Sequence, residues 1–167
     1  GREINYVYDA SDRLTQSTGR DSVVSDFTYD ILDNLVAREI GNRQTIYSYD
    51  NSNRLISETN ALGQTTAYNY TDLERISQIV DSLGNIERYT WTGAGRLNVY
   101  TNQAGQEFDY STDPLGRLQQ MNTPGQLERF VMSYSDSGLI ENIRHNIENL
   151  NEDYVFNYYP NGLLATA

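Results

Sequence analysis

The sequence contains no cysteine and no lysine, and it has only three prolines and two methionines among its 167 residues. Without cysteine the chain has no disulfide, no thiolate metal site and no cysteine nucleophile. No apolar run approaches the length of a membrane span, so we predict no direct membrane insertion. A catalytic triad needs a base in contact with a nucleophile and a carboxylate. The only histidine, His145, is interpreted instead as a surface-loop residue.

The charge is strongly one-sided, with 23 acidic residues against 12 basic ones and a net charge of −11. An acidic chain lacks the cations that face phosphates, which argues against nucleic acid as a partner. It also argues against docking on an anionic membrane. All 12 basic residues are arginine, whose planar head with several donors suits fixed hydrogen bonds in a repeated turn.

Tyrosine is abundant, with 14 copies, and most copies follow a regular spacing. A motif with an aliphatic residue six positions after its start occurs eight times, at intervals of 20 to 24 residues, and seven of its eight starts are aromatic. The motifs start at Tyr8, Tyr29, Tyr49, Tyr70, Trp91, Thr112, Tyr134 and Tyr158. Their aliphatic residues are Leu14, Leu35, Leu55, Ile76, Leu97, Leu118, Ile140 and Leu164, and Asp9, Asp30 and Asp50 follow three of the tyrosines. These residues define a structural repeat.

Each repeat has the pattern of a β-hairpin. A large side chain also lies two residues before each start, as with Tyr6 and Phe27, which places both on one face of a strand. The residues between the start and the aliphatic position are rich in Asp, Asn, Ser and Gly, which favour turns. A second, glycine-centred turn follows, so each unit is predicted as strand, tight turn, strand and looser turn.

The interval is longest near the C-terminus, at 24 residues. Residues 140–150 show a weak helical periodicity, and we interpret this stretch as a longer inserted loop.

These units predict an all-β fold of tandem antiparallel hairpins in a curved, twisted ribbon. An isolated hairpin is marginal in water, so neighbouring units must pair edge to edge. About 16 strands at about 4.8 Å each give a ribbon about 75 Å long. Closed into one circle it would be about 25 Å across, narrower than a folded domain, so we expect the arc of a larger β-shell. Residues 1–167 are expected to form a single array within a longer protein.

The motifs resemble those of the Rhs, or YD-repeat, family. The family unit is Gly, a few residues, Arg-Tyr-x-Tyr-Asp, two residues and Gly-Arg-Leu, and it is matched best around Gly84, Arg88-Tyr89 and Gly95-Arg96-Leu97. The resemblance implies a wall-building role in a hollow β-shell that encloses or presents a toxin or effector, as in bacterial polymorphic toxins, insecticidal toxin-complex cocoons and teneurins. It also implies a secreted or cell-surface location, with flanking repeats and an enclosed toxin as partners. A bacterial source, no cofactor and no catalysis complete this expectation.

The chain departs from the family pattern at four positions. Asn34, Leu139 and Leu163 stand at the arginine position, and Thr112 stands at the tyrosine position. These departures put the turn geometry of their units in doubt.

Several polar motifs allow a functional interpretation as well as a structural one. Residues 113–116 spell Asp-Pro-Leu-Gly, which resembles a self-cleavage motif of Rhs proteins but falls in an ordinary repeat turn, where proline presets the backbone. A carboxylate pair for glycoside hydrolysis would be unique, whereas the aspartates recur, so we interpret them as turn-forming or arginine-pairing. The chain has no Asp-x-Asp-x-Asp-Gly calcium loop, and no metal is predicted.

The main alternative is an adhesion module on the cell surface that binds glycan or protein through exposed tyrosines and acidic residues. Rings that pack into the sheet would favour the structural function, and rings exposed along a groove would favour binding. An enzyme would need a unit that breaks the repeat, and residues 140–153 are the only candidate.

Overall fold

The computed structural model describes residues 4–147 and 150–166, and it comprises two compact units, Gly1–Asn85 and Ile86–Ala167. Within each unit the paired strands are antiparallel, and consecutive strands pair with each other except β15 and β16 in the second unit. The described residues contain no α-helix, and the one helical element is a short 3-10 turn, Pro124–Gln126. No described helix is long and apolar enough to cross a membrane. The prediction of an all-β fold of antiparallel hairpins is confirmed.

The described residues of the first unit form eight strands. They are β1 (Asn5–Tyr8), β2 (Leu14–Thr18), β3 (Val24–Tyr29), β4 (Leu35–Ile40), β5 (Arg43–Tyr49), β6 (Leu55–Thr59), β7 (Thr65–Tyr70) and β8 (Ile76–Val80).

Among its described residues, the second unit has a seven-stranded run followed by a separate hairpin. The run consists of β9 (Ile86–Trp91), β10 (Leu97–Thr101), β11 (Glu107–Thr112), β12 (Leu118–Asn122), β13 (Glu128–Tyr134), β14 (Ile140–Ile147) and β15 (Leu150–Val155). Strands β16 (Asn157–Tyr158) and β17 (Leu164–Thr166) pair only with each other among the described strands.

Successive side chains along a strand point alternately to an aromatic face and to a polar face. In β5, Tyr47 and Tyr49 are half-buried, whereas Ile46 before them and Ser48 between them are exposed. This period of two is the intrinsic geometry of a pleated strand. No apolar residue of the described chain is fully buried, so the aromatic face is covered by its own neighbouring side chains rather than by a second layer.

The motif turns are five residues long and carry one residue in the left-handed region. In the first, Asp12 N donates to Asp9 O at 3.1 Å, and Asp9 N donates to Arg13 O at 2.9 Å. Asp12 has a φ of 59°, and the strand register shifts next to Tyr8. This is a type I turn followed by a G1-type bulge, which gives the hairpin extra twist.

Several of the second turns are as tight as the motif turns, contrary to the expectation of a looser connection. Gly63 N donates to Asn60 O at 2.9 Å, and Asn60 N donates to Gln64 O at 3.0 Å. The turn that starts at Asn102 repeats this arrangement. An Asx residue at the first position and glycine at the fourth are enough for the tight form, so the two kinds of turn share one geometry.

The interpretation of residues 140–150 as an inserted loop is wrong for the described residues of that stretch, and residues 148 and 149 lie outside them. Ile140–Ile147 forms β14, the longest strand among the described residues. The longer interval therefore comes from longer strands, because β14 has eight residues and pairs with β15 over six residue positions. His145 lies within β14 rather than in a surface loop, and its side chain is only 15% exposed.

Candidate functional site

A repeated set of side chains links each motif turn to the hairpin that follows. We call it the Asp–Arg–Tyr ladder: the aspartate and arginine of one motif turn and the tyrosine that starts the next motif. Three complete rungs are Asp9/Arg13/Tyr29, Asp50/Arg54/Tyr70 and Asp113/Arg117/Tyr134.

The aspartate of each rung first closes its own turn. Asp9 Oδ1 accepts hydrogen bonds from the backbone N–H groups of Ser11 at 2.9 Å and Arg13 at 3.0 Å. Asp50 does the same with Ser52 at 2.8 Å and Arg54 at 3.0 Å. Such Asx bonds satisfy turn donors that have no partner in the strand ladder.

The other carboxylate oxygen holds the arginine. The Asp9–Arg13, Asp50–Arg54 and Asp113–Arg117 pairs all have N–O distances of 2.7 Å. The Arg13 backbone N–H and then its guanidinium lower the pKa of Asp9. For Asp113, burial raises the pKa, but the hydrogen bonds from Arg117 outweigh it, and the net shift is downward.

The arginine then covers the tyrosine of the next hairpin. The guanidinium carbon lies 5.0 Å from the ring centroid in the Arg13–Tyr29 pair, 4.8 Å in Arg54–Tyr70 and 4.3 Å in Arg117–Tyr134. Cation–π contacts at partly exposed positions contribute about 0.5–1 kcal/mol each. Arg13 Nη1 also donates to Asp33 Oδ1 in the next turn at 2.6 Å.

The tyrosine hydroxyl completes the rung by bonding back to the preceding hairpin. Each hydroxyl donates to the backbone carbonyl of the preceding motif's leucine. The distances are 3.0 Å for Tyr29–Leu14, 3.0 Å for Tyr49–Leu35, 2.7 Å for Tyr70–Leu55 and 2.6 Å for Tyr134–Leu118. Burial, above all, raises the pKa of Tyr49. These carbonyls lie beside the bulge, where the strand ladder is interrupted.

The ladder adapts where the sequence departs from the family pattern. Asn34, at an arginine position, donates to Asp30 Oδ2 at 3.0 Å and to Asn53 Oδ1 at 3.1 Å. Thr112, at the tyrosine position, accepts a hydrogen bond from Arg96 Nη1 at 3.4 Å. Both of these motifs keep the five-residue turn.

The sequence-defined repeat residues occupy equivalent places in the hairpins. The motif starts Tyr8, Tyr29, Tyr49, Tyr70, Trp91, Tyr134 and Tyr158 end their strands, whereas Leu14, Leu35, Leu55, Leu97 and Leu118 begin the next ones. Asp9, Asp30 and Asp50 begin the turns. Their role in defining the repeat stays a proposal.

The Asp-Pro-Leu-Gly stretch forms one of these turns. Gly116 N donates to Asp113 O at 2.9 Å, and Asp113 N donates to Arg117 O at 2.9 Å. Its carboxylate, which is engaged by Arg117, belongs to the one residue that is buried among those described.

Sequence reasoning missed a second set of contacts on the aromatic face of the second unit. Tyr100 lies 5.2 Å from Tyr89 and 5.8 Å from Phe108 between ring centroids. Burial, together with a 2.7 Å hydrogen bond to Glu87, raises the pKa of Tyr89 to about 12. Tyr100 lies outside the motif, and only its cross-strand register to Tyr89 could have revealed the stack.

His145 belongs to a similar contact. Its ring stacks on Phe130 at 4.1 Å between centroids, and its Nε2 lies 3.3 Å from Glu128 Oε2. The strand register pairs Phe130 with His145 directly.

The repeated hairpins and their ladder are the features that a family comparison tests. A family model described as the teneurin YD-shell matches residues 1–159. The chain belongs to the teneurin YD-shell family. The resemblance to YD-repeat proteins found in the sequence is thereby confirmed. No curated protein matches the chain in sequence.

Solved structures of Tc toxin components share the YD-shell hairpin fold. The TcdB2–TccC3 structure without its hypervariable C-terminal region is 15% identical, with a TM-score of 0.81, over 97% of this chain and 10% of that chain. The TcdB2–TccC3–Cdc42 structure is 15% identical, with a TM-score of 0.78, over 94% of this chain and 10% of that one. The Photorhabdus luminescens Tc holotoxin pore is 16% identical, with a TM-score of 0.75, over 92% and 9%. This YD-shell chain therefore spans about a tenth of the length of these structures.

Proposed function

We propose that this chain is a structural segment in the wall of a hollow β-shell that encloses or presents a toxin or effector domain, with no catalysis of its own. The observation that carries this proposal is the recurring hydrogen bond from a motif tyrosine to the leucine carbonyl of the preceding hairpin. A bond that recurs from repeat to repeat joins a hairpin to the one before it, and such nearest-neighbour interfaces stabilise repeat proteins.

The ladder side chains also favour a wall over a binding surface. Tyr29, Tyr49 and Tyr70 are half-buried and use their hydroxyls within the sheet. An adhesion module that binds through its tyrosines would need their rings to be exposed along a groove. The rings of these three tyrosines do not form such a platform.

The wider setting follows from the relatives. Because the chain spans about a tenth of the Tc toxin chains that share its fold, we take residues 1–167 as one array of about eight hairpins within a longer protein. Its partners would be the flanking repeats and the enclosed domain, and the parent protein would be secreted or on the surface of a bacterial cell.

Protease protection of the natural full-length protein tests enclosure. We expect its non-repeat domain to resist trypsin until the shell is opened by denaturant, and electron microscopy should show a hollow body with density inside. A Tyr70→Phe/Tyr134→Phe variant should open at lower denaturant concentration, whereas Tyr8→Phe, which changes a 57% exposed residue, should not. The proposal fails if the non-repeat domain is digested as fast within the native full-length protein as when it is expressed alone.

A further inference from the structure

The polar face of the second unit carries an arginine without a carboxylate partner among the described residues. Arg129 of β13 is exposed, and its guanidinium has no hydrogen bond or ion pair within residues 4–147 and 150–166. The ladder arginines Arg54 and Arg117, by contrast, are held by carboxylates at 2.7 Å. On a chain of net charge −11, this leaves a whole fork of guanidinium donors free for an anion.

The strand register surrounds Arg129 with carboxamides. Arg129 pairs with Asn122 of β12 on one side and with Asn146 of β14 on the other. Asn146 pairs in turn with Asn151 of β15. Directly paired residues point their side chains to the same face of a sheet. The four residues therefore form one row across the polar face, and the row contains no carboxylate.

The turn between β12 and β13 adds another carboxamide next to this row. The turn is one residue longer than the five-residue turns, since Thr123 N donates to Glu128 O at 2.9 Å. Its Gln126 has a φ of 56°, a left-handed conformation that side chains other than glycine rarely adopt. Backbone strain of this kind is concentrated at ligand-binding sites. The array thus departs from its usual turn beside Arg129.

Two concavities meet at Arg129, and we call them together the Arg129 groove. The first has a volume of about 320 Å³ and a mostly carboxamide lining: Asn122, Gln126, Leu127, Arg129, Asn146 and Asn151. The second has a volume of about 350 Å³ and follows β13 and β14: Arg129, Val131, Ser133, Asn142 and Arg144. No acidic side chain is among the described residues that line either concavity.

The charge of the groove matches one carboxylate. Arg144 adds no net charge, because its Nε and Nη2 donate to Asp153 at 2.8 and 3.2 Å. Hydrogen bonding to Arg144, above all, lowers the pKa of Asp153. Arg129 therefore remains as the charge to be balanced, and a guanidinium fork binds a carboxylate through two parallel hydrogen bonds. A phosphate monoester carries a charge of about −1.5 to −2, which is more than Arg129 balances.

The neutral lining favours a peptide over a free organic acid. A carboxamide both donates and accepts hydrogen bonds, and so does each peptide group of a backbone. The side chains of Gln126 and Asn151 have no hydrogen bond among the described residues. A small acid would occupy the Arg129 fork and leave both carboxamides unused, whereas a peptide with an acidic side chain would use all three groups.

We propose that the Arg129 groove binds a peptide segment of a partner protein that carries one aspartate or glutamate among uncharged residues. Its carboxylate pairs with the Arg129 guanidinium, and the carboxamides of Gln126 and Asn151 hydrogen-bond its backbone. This binding goes beyond the wall function and does not depend on it.

Calorimetric titration of the 167-residue chain at low ionic strength tests the groove. The probe is a capped peptide with one central glutamate among alanine and serine, and the comparisons are its glutamine analogue, its phosphoserine analogue and acetate. We expect the glutamate peptide to bind with a Kd between about 10 μM and 1 mM, and each comparison to bind more weakly. Arg129→Gln should weaken binding at least about tenfold, and Arg129→Lys, which keeps the charge but not the fork, about threefold.

Arg88→Gln is the matched control, because it removes the same charge from the same face. Arg88 is exposed in the second unit, and its row runs through Thr101 to the acidic Glu107 rather than through carboxamides. It does not line the groove, so its replacement should leave the affinity unchanged. Far-UV circular dichroism should show that all variants keep the sheet.

Three results would overturn the proposal. The first is no binding of the glutamate peptide at millimolar concentration. The second is equal affinity of Arg129→Gln and the unaltered chain. The third is binding of the glutamine analogue, the phosphoserine analogue or acetate that is as tight as that of the glutamate peptide.

Discussion

The two units build the same motif turn with different residues at the left-handed position. The first unit uses Asp12, Asp33, Asn53 and Glu74, with φ between 59° and 65°, whereas the second uses Gly95, Gly116, Gly138 and Gly162, with φ between 77° and 87°. Left-handed backbone costs an L-residue roughly 1–2 kcal/mol, and Asp and Asn are the side chains that tolerate it best. The motif turns of the first unit therefore carry backbone strain that those of the second avoid, and Glu74 is the least suited residue among them.

The units also differ in how they cover the aromatic face. In the first, three tyrosine hydroxyls bond to carbonyls of the preceding hairpin. The second adds direct ring contacts, with Tyr89, Tyr100 and Phe108 in a row and His145 on Phe130. The same turn geometry thus supports either tyrosine hydroxyl bonds or ring stacking, depending on which side chains the second strand of the hairpin carries.

The largest effect is expected for Gly116→Ala in the second unit. Gly116 has a φ of +87°, and an added Cβ would overlap the Arg96 guanidinium. The strain and the displaced arginine should together lower the free energy of unfolding by about 2 kcal/mol in urea titration. At Gly138, with a φ of +86° but no atom nearer than 4.0 Å, the same change should cost only about 1 kcal/mol. Equal costs at the two glycines would show that the Arg96 contact contributes nothing.

A smaller loss is expected when a ladder hydroxyl is removed. Tyr70→Phe in the first unit and Tyr134→Phe in the second each delete a bond to a leucine carbonyl, at 2.7 Å and 2.6 Å. Each should cost about 1 kcal/mol in urea unfolding. Tyr8→Phe should cost close to nothing, because Tyr8 is 57% exposed. A similar loss for Tyr8→Phe would mean that the hydroxyl bonds are not what the ladder contributes.

Replacing the strained residue of the first unit should stabilise it. Glu74→Gly relieves the strain of a left-handed φ of 62°. Glycine also has greater entropy in the unfolded chain, and after this cost is subtracted we expect the free energy of unfolding to rise by about 0.5–1 kcal/mol. Asn53→Gly is the comparison and should gain less, since asparagine tolerates the left-handed region. A thermal melt that shows Glu74→Gly to be less stable than the unaltered chain would contradict the strain argument.

The smallest effect concerns acid, because the turn ion pairs are partly exposed and weak. The backbone N–H and guanidinium of Arg54 hold the pKa of Asp50 below its usual value. A lowered folded pKa gives stability that is present above the unfolded value of about 3.9 and is lost as pH falls through the folded value. Urea midpoints measured from pH 5 to pH 2 should therefore decline.

Asp50→Asn should flatten part of that decline, since the amide keeps the turn bonds and does not titrate. The control Asp136→Asn alters an exposed turn residue and should leave the slope as it is. If the slope is the same in all three proteins, the Asp50–Arg54 pair makes no contribution to acid sensitivity.

Much of this architecture could be predicted from local pattern. The six-residue spacing from Tyr8 to Leu14 marks a strand end and the next strand start, because a turn of five Asx- and Gly-rich residues fits between them. The alternation in β5 assigns Tyr47 and Tyr49 to one face. The prediction from local sequence failed where the interval between motifs is longest. A strand such as β14, with mixed polar and apolar residues, resembles a helix or a loop until its partner strand β13 is known.

The candidate site depended less on local sequence. That Asp9 binds Arg13 follows from their four-residue separation in the turn, but that Arg13 also covers Tyr29 does not. The separation of the last hairpin from the main sheet after Val155 was not foreseen either, because nothing in the local sequence shows that the sheet divides there.

The sequence by itself determined the repeat, the hairpins, the face of each aromatic residue and the positions that must turn, because these depend on backbone preferences and a period of two. Only the tertiary structure decided which hydroxyl reaches which carbonyl, which ring meets which, and where the sheet of the second unit splits. The ring contacts depend on which residues face each other across paired strands. The hydroxyl–carbonyl bonds join residues 14 to 16 positions apart, and they are set by the twist and lateral register of neighbouring hairpins, which no single hairpin contains.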